Sequence, residues 1–358
     1  MELSRAERMQ RIGQTVDRLV SLDLWCKFAG TDVVRAMYEA ALAVVNPTHG
    51  SLTLAAAELL HERVRPGKQV LICTGNVLPP WMIIESDGPP GAAVLARMIN
   101  HALRATPVVL VEERWIDQMC QVVIAAGLTP RDDPNEIVGR RGACAVVPFP
   151  AEDEPAKMLA ETWIGSGEID AVLAIEATAR SENGYYQTGT GSFDNSSHSA
   201  RFDYLFETAN ARAIPTIGIG DHGGELGLGN IKEVIREVVP TARIATDPKR
   251  GGITPVVESQ IPLVVGISNW GGYGLAAVLA ALADRPDLIH DAAFEHRLLN
   301  ATAQAGMIEG MTGVPEPAVD GLPVGVNASF VDLLRAAVLR GMKAPYPRAV
   351  GFIPETDL

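Results

Sequence analysis

The sequence lacks the cysteine patterns of metal and redox centres. Its four cysteines, Cys26, Cys73, Cys120 and Cys144, form no C-x-x-C pair, and none has ligand spacing to a histidine. A zinc ribbon or a thioredoxin-like centre is thereby excluded, and buried, reduced thiols are expected. The seven histidines include no H-E-x-x-H, no serine sits in a G-x-S-x-G elbow, and there is no P-loop. Zincin, serine-hydrolase and nucleotide-kinase chemistry therefore lack their signatures. Basic residues are outnumbered, with 30 Lys and Arg against 43 Asp and Glu and a formal net charge of −13. No basic patch interleaved with aromatics is present. Phosphate binding rests on clustered Lys and Arg, so no nucleic-acid partner is expected. The polar, charged N-terminus holds no secretory apolar core, which points to a cytoplasmic location. The run 261–283 is long and uncharged enough to suggest a membrane span. Its internal Ser268-Asn269-Trp270-Gly271-Gly272 reads instead as a turn between a strand and a buried helix, so no membrane partner is expected. Neither an internal repeat nor a low-complexity tract occurs.

What remains is a globular composition, 47% hydrophobic and 20% charged. Four apolar runs, at 70–73, 171–175, 216–219 and 263–267, end abruptly in glycine or polar residues before a helix-like stretch. Further strand candidates lie at 108–111 and 143–147, alternating with amphipathic helical segments. Continuous apolar strands alternating with helices imply an α/β fold: a mostly parallel, doubly wound sheet with helices on both faces. Residues 1–48 read as a helical N-terminal arm closed by Asn46-Pro47, suited to core packing or to an oligomer contact. A homo-oligomer is compatible with that arm. Residues 49–358 read as one α/β catalytic domain with a helical C-terminal part. The polar, glycine-rich stretch 181–199 has room for a lid or an inserted boundary. A parallel sheet gathers its strand C-termini on one edge, where ligands of open α/β sheets bind. Side chains distant in sequence should converge there.

Four motifs fall at such strand ends or helix starts. Glu85-Ser86-Asp87-Gly88-Pro89-Pro90-Gly91 opens a helix. It reads either as a capped N-terminus or as an anion site with two spare carboxylates. Gly218 to Gly229 contains a formal G-x-G-x-x-G at Gly218, Gly220 and Gly223. More glycines intervene before any helix, so no nucleotide cofactor is expected; Asp221 and Glu225 would instead enter a small-molecule site. Glu176 ends a strand, with Arg180 placed to clamp a carboxylate and Tyr185 and Tyr186 to close over a substrate or simply to pack. In Ser268-Asn269-Trp270-Gly271-Gly272, Asn269 can donate to a developing oxyanion, before a helix start open to an anion.

Taken in order, ESDGPPGA, EATARSENGYY, IGIGDHGGELGLG, GISNWGGYGLAA and EGMTGVPEPAVDGLP resemble the D-glutamate cyclase family, in particular its C-terminal cyclase-like domain. The resemblance runs from about residue 74 to 323. It implies a carbon–oxygen lyase that converts D-glutamate to 5-oxo-D-proline with loss of water, and a divalent cation such as Mg²⁺ or Mn²⁺. The family pattern has ETDGPPG where this chain has Ser86, and GDGGNE where it has His222 and Gly224. It has Arg-Pro-Gly-Arg where this chain has Ala177-Thr178-Ala179-Arg180. Mitochondrial members carry an upstream domain and a targeting segment, neither of which is expected here.

On this reading Glu85, Asp87, Glu176, Asp221, Glu225 and Asn269 are the candidate catalytic residues. Glu85 or Glu225 would take the ammonium proton, and Asp87 and Asp221 would hold the metal. Ser86, Gly88, Gly91, Arg180, Tyr185, Tyr186, Gly220, Gly223, Ser268 and Trp270 would bind a small carboxylate or lactam, with Arg180 on its α-carboxylate. A hydrolase or dehydratase of another small cyclic amide or amino acid, and a non-catalytic small-anion binding protein, are the alternatives.

Overall fold

The computed structural model describes residues 3–24, 32–244 and 247–343; Cys26 and positions 25–31 of the arm lie outside the described residues. The strands are β1 Gln69–Gly75, β2 Val77–Leu78, β3 Ile83–Ile84, β4 Thr106–Val111, β5 Thr129–Arg131, β6 Ala143–Pro148, β7 Ile169–Ala177, β8 Thr216–Gly220, β9 Ile261–Val264, β10 Ala318–Val319 and β11 Leu322–Pro323. The α-helices are α1 Arg5–Val20, α2 Val33–Val45, α3 Leu52–Arg63, α4 Pro89–Met98, α5 Ile116–Ala125, α6 Asp153–Gly165, α7 Asp203–Ala211, α8 Lys232–Val238, α9 Pro240–Arg243, α10 Ser268–Leu282, α11 Ala292–Gln304 and α12 Val324–Met342.

Seven strands form one parallel sheet in the order β5-β6-β4-β1-β7-β8-β9. Its strands read as apolar runs because both faces are covered. In β1, Val70 and Ile72 enter one core layer with α3, α4 and α10, while Leu71 and Cys73 enter the other with α6 and α7. Burial pushes the Cys144 thiol up to about 12 and the Cys73 thiol well above its ordinary value, so both are inert thiols of the core. Strands after β1 build one half of the sheet and strands from β7 onward build the other. The winding therefore reverses between β1 and β7, and the loops leaving their C-terminal ends diverge. A reversal of this kind opens a crevice for a ligand.

The helical N-terminal and C-terminal parts pack together. Val16 and Val20 of α1 meet α10 at Gly274, where a Cβ would lie 2.5 Å from Val20 Cγ1. Two element boundaries differ from the sequence expectation. The last core strand stops at Val264, and α10 starts at Ser268 instead of after the glycines; the cause lies in the site described below. The edge strand β5 went unread because Thr129-Pro130-Arg131 is short, largely exposed and carries a proline, as edge strands tolerate. The helix after β8 begins only at Lys232, so no helix start stands at Gly223. Among the described residues no helix is long and apolar enough to cross a membrane.

The loop after β8 folds back over its own strand. A Cβ at Gly218 would lie 2.4 Å from the Leu226 carbonyl oxygen and 2.7 Å from Gly227 Cα. Because these obstacles are backbone atoms, Gly218→Ala is expected to lower stability by about 2–3 kcal/mol in urea unfolding. Gly325→Ala, with nothing within 4 Å in α12, should stay within about 1 kcal/mol of the parent. An unmoved midpoint for Gly218→Ala would mean that residues 221–228 do not close on β8 in solution.

Candidate functional site

Three carboxylates meet at the switch point. Asp87 lies between β3 and α4 in the connection that leaves β1, Glu176 lies near the end of β7, and Asp221 follows β8. One oxygen from each lies within 4.8 Å of the others, and all three residues are buried. Glu176 is aimed by a local irregularity of its strand. Thr74 of β1 pairs with Ile175 and Gly75 with Ala177, leaving Glu176 as an extra residue. Its φ of +45° lies in the left-handed region that non-glycine residues rarely occupy. Bulges and strained backbone of this kind re-aim side chains at functional sites.

The start of α10 holds the group together. Ser268 N donates to Asp87 Oδ2 at 3.0 Å and to Asp221 Oδ2 at 2.8 Å, and Asn269 N donates to Asp87 Oδ1 at 2.7 Å. Ser268 Oγ donates to Glu176 Oε2 at 2.6 Å. Helix N-termini carry unpaired N–H groups and a partial positive charge. Here carboxylates from two other loops satisfy them, which is why the helix begins at Ser268 without a local cap. The expectation that this terminus stands open to a substrate anion is corrected: Asp87 and Asp221 occupy it.

Asn269 is likewise committed to the frame. Its Oδ1 accepts from Gly88 N at 3.0 Å and Gly91 N at 2.7 Å, and its Nδ2 donates to Ser86 O at 3.0 Å. The side chain clamps the β1 loop to α10, is fully buried and does not line the cavity. Gly88 permits this approach. It has φ +97°, and a Cβ there would lie 2.7 Å from Thr74 Oγ1 and 2.8 Å from Glu176 Cβ.

A cavity of about 370 Å³ opens beside the three carboxylates. Glu176 lines it together with Glu85, Glu225 and Asp320, each at most 5% exposed. Glu85 accepts from Asn76 Nδ2 at 2.8 Å. Glu225 accepts from His222 N at 3.1 Å and Gly223 N at 2.8 Å. It folds against Gly220, where a Cβ would come within 2.6 Å of its Oε2. Thr178 Oγ1 donates to Asn76 Oδ1 at 2.9 Å. Gln187 Nε2 is held by the carbonyls of Gly251 and Gly252, at 3.3 Å each, while its buried Oε1 has no hydrogen-bond partner among the described residues. Among the described residues neither lysine nor arginine lines the cavity, and His222 does.

Of the residues expected from sequence, Glu85, Glu176 and Glu225 line the cavity, and Asp87, Asp221 and Asn269 do not; they are buried and bonded together at the start of α10. The ten expected substrate contacts do not line it. Arg180 pairs with Glu207 and lies over the Tyr204 ring. The Tyr186 hydroxyl donates to Asp203 Oδ2 at 2.6 Å beneath the Arg201 guanidinium. Burial pushes the Asp203 carboxyl up and the Tyr186 phenol far above its ordinary value, so this pair is a core pin. Tyr185 is half-buried beside it. Trp270 stacks on Phe330 and donates Nε1–H to Asn327 Oδ1 at 2.9 Å. Ser86 Oγ donates to Ala318 O at 2.8 Å. Gly88, Gly91, Gly220, Gly223 and Ser268 serve the close packing and hydrogen bonds described above. Sequence reasoning missed Asn76, Thr178, Gln187, His222 and Asp320 as cavity residues. Asn76 stood at a flagged strand end and Asp320 in the last quoted motif, but neither carried a signal of direction.

The donor set fits a hard divalent cation. Three carboxylates, with no thiolate or imidazole among them, suit Mg²⁺ or Mn²⁺ better than a soft metal. Thr74 Oγ1, buried and without a hydrogen-bond partner among the described residues, flanks Gly88 as Glu176 Cβ does.

The family model described as D-glutamate cyclase-like, C-terminal, matches residues 37–335. The mitochondrial D-glutamate cyclase of Homo sapiens is 28% identical over 240 residues, which cover 64% of this chain and 35% of that protein. The match thus spans about a third of the relative's length. On the extent of the family match, this chain belongs to the D-glutamate cyclase-like C-terminal family.

Proposed function

We propose that the protein interconverts an amino acid and its lactam, with loss or gain of water, the reference pair being D-glutamate and 5-oxo-D-proline. The observation that carries the reading is the trio Asp87, Glu176 and Asp221 at the edge of a cavity with further carboxylates on its wall. Cyclisation brings an amine against a carboxylate of the same molecule, so much of the entropy of approach is already spent. Two obstacles remain, an amine that is protonated and a carboxylate that is a poor electrophile. For the first, Glu85 and Glu225 line the cavity as candidate bases, and each is held by donors that keep its carboxylate in place. For the second, Asp87, Glu176 and Asp221 would hold a Mg²⁺ or Mn²⁺ ion, which when bound supplies Lewis-acid polarisation of the carboxylate. The Gln187 Oε1 acceptor suits an N–H of amine or lactam. The same residues serve ring opening in reverse, with a carboxyl proton donor returning its proton to the nitrogen.

The test is incubation with a panel of lactams and the amino acids they open to, led by D-glutamate and 5-oxo-D-proline, with water gain or loss read by mass spectrometry. Turnover is expected with Mn²⁺ or Mg²⁺, is abolished by EDTA and returns on adding the cation back. No interconversion of any pair, with either cation present, would remove the proposal.

A further inference from the structure

The two candidate bases on the cavity wall are held in different ways. Glu225 closes its own turn: Oε1 accepts from His222 N at 3.1 Å and Oε2 from Gly223 N at 2.8 Å. The next residue, Leu226, donates its N–H to Ala177 O at 2.9 Å, so this carboxylate shapes the loop that folds over β8. Glu85 is held from another loop. Asn76 grips it twice: Asn76 O accepts from Glu85 N at 3.0 Å, and Asn76 Nδ2 donates to Glu85 Oε1 at 2.8 Å. The second oxygen, Oε2, lies at Gly310 on the cavity wall, where a Cβ would come within 3.1 Å of it.

Asn76 is itself oriented. A carboxylate only accepts hydrogen bonds, so the Asn76 amide must turn Nδ2 toward Glu85. Its Oδ1 then accepts from Thr178 Oγ1 at 2.9 Å. Thr178 stands just past β7, bridged antiparallel to Glu225. Thr178, Asn76 and Glu85 all line the cavity. They form a chain of hydrogen bonds from the end of β7, across the end of β1, to the segment before α4.

Resting on the lactam reading above, we infer that Glu85 is the proton acceptor of the cyclisation and that Asn76, backed by Thr178, is the residue that positions it. Thr178 sets the amide, the amide sets Oε1, and Oε2 meets the substrate nitrogen beside Gly310. There Oε2 takes one proton from the ammonium. The nitrogen bonds to the distal carboxyl carbon and a C–O bond of that carboxyl breaks. The departing oxygen leaves as water, with that proton and a second one from the nitrogen. Glu85 ends ionised, as it began, and Glu225 keeps its turn without taking a proton.

The experiment is a double-mutant cycle on the full chain with Mn²⁺, using whichever pair of the lactam panel the parent turns over fastest. Asn76→Ala is expected to lower kcat about 10²-fold with KM within about threefold, the cost of a reacting group displaced by about an ångström. Thr178→Val should cost about tenfold, and Thr178→Ser should restore most of that loss. Glu85→Gln should lower kcat by about 10²–10⁴-fold. Added to Glu85→Gln, Asn76→Ala should cost less than about threefold more, because the group it positions is already gone. The same cost of Asn76→Ala in both backgrounds, or parental turnover by Glu85→Gln, would overturn the inference and leave the lactam reading standing. So would a loss of Mn²⁺ affinity in Asn76→Ala as large as its loss of kcat, since the cation site would then be what Asn76 serves. No turnover of any pair by the parent would overturn both.

Discussion

Asp221→Asn is expected to lower turnover by about 10³-fold and to abolish the heat of Mn²⁺ binding in calorimetry. Asparagine keeps the shape, and its Oδ1 can still accept from Ser268 N, so the fold around α10 should persist. What changes is charge. With three carboxylate oxygens within 4.8 Å of one another, two ionised members repel by roughly 3 kcal/mol at an effective dielectric near 20. A cation offsets that repulsion, and removing one carboxylate removes both the repulsion and much of the attraction for the ion. Losing a single preorganised donor already costs about 10²–10³ in turnover, and a charged ligand at the reacting centre should cost at least as much. Two thermal readouts follow. The cation-free variant should melt no lower than the cation-free parent. The parent should gain about 2.7 kcal/mol at a cation concentration a hundredfold above its Kd, and the variant nothing. Parental turnover in the variant would eliminate Asp221 from the mechanism, and an undiminished thermal shift would move the cation elsewhere.

Asn269→Ala is expected to cost about 3–4 kcal/mol of stability, read as a lower urea midpoint at constant slope. The side chain is fully buried and serves Gly88 N, Gly91 N and Ser86 O at once. Gly88 N keeps Asp87 Oδ1 as a partner at 3.0 Å. Gly91 N and Ser86 O lose theirs, at about 1–3 kcal/mol for each buried group left unsatisfied. Because Asn269 fixes the loop that carries Asp87, Mn²⁺ affinity should fall together with stability. An oxyanion donor would behave differently, losing turnover with stability and cation affinity intact. That second pattern would reinstate the role read from sequence.

The difference between these two residues shows how far the sequence could be read. Continuous apolar runs such as 171–175, followed at once by Glu176, marked a parallel sheet and its functional edge, because a strand buried on both faces has no other composition open to it. Glu176 and Asp221 were legible for the same reason, since a charge at the end of a buried strand needs a purpose, and Asp87 as a spare carboxylate in a motif that opens a helix. Side-chain direction was not legible. Arg180, Tyr186 and Trp270 stand next to site residues in the chain, yet each turns into a packed cluster with partners from α7 or α12. Gln187, His222 and Asp320 reach the cavity from loops whose course depends on contacts far away in sequence.

From the order of its residues alone, this chain determined an α/β sheet, the edge where its site lies and the acids that gather there, because burial and strand periodicity act locally. Tertiary structure decided which of those acids face the cavity, that Asn269 clamps the loop carrying Asp87 to α10, and that the start of α10 is filled by Asp87 and Asp221. Those outcomes depend on hydrogen bonds between loops about fifty to nearly two hundred residues apart, and no local pattern encodes which partner a buried polar group will find.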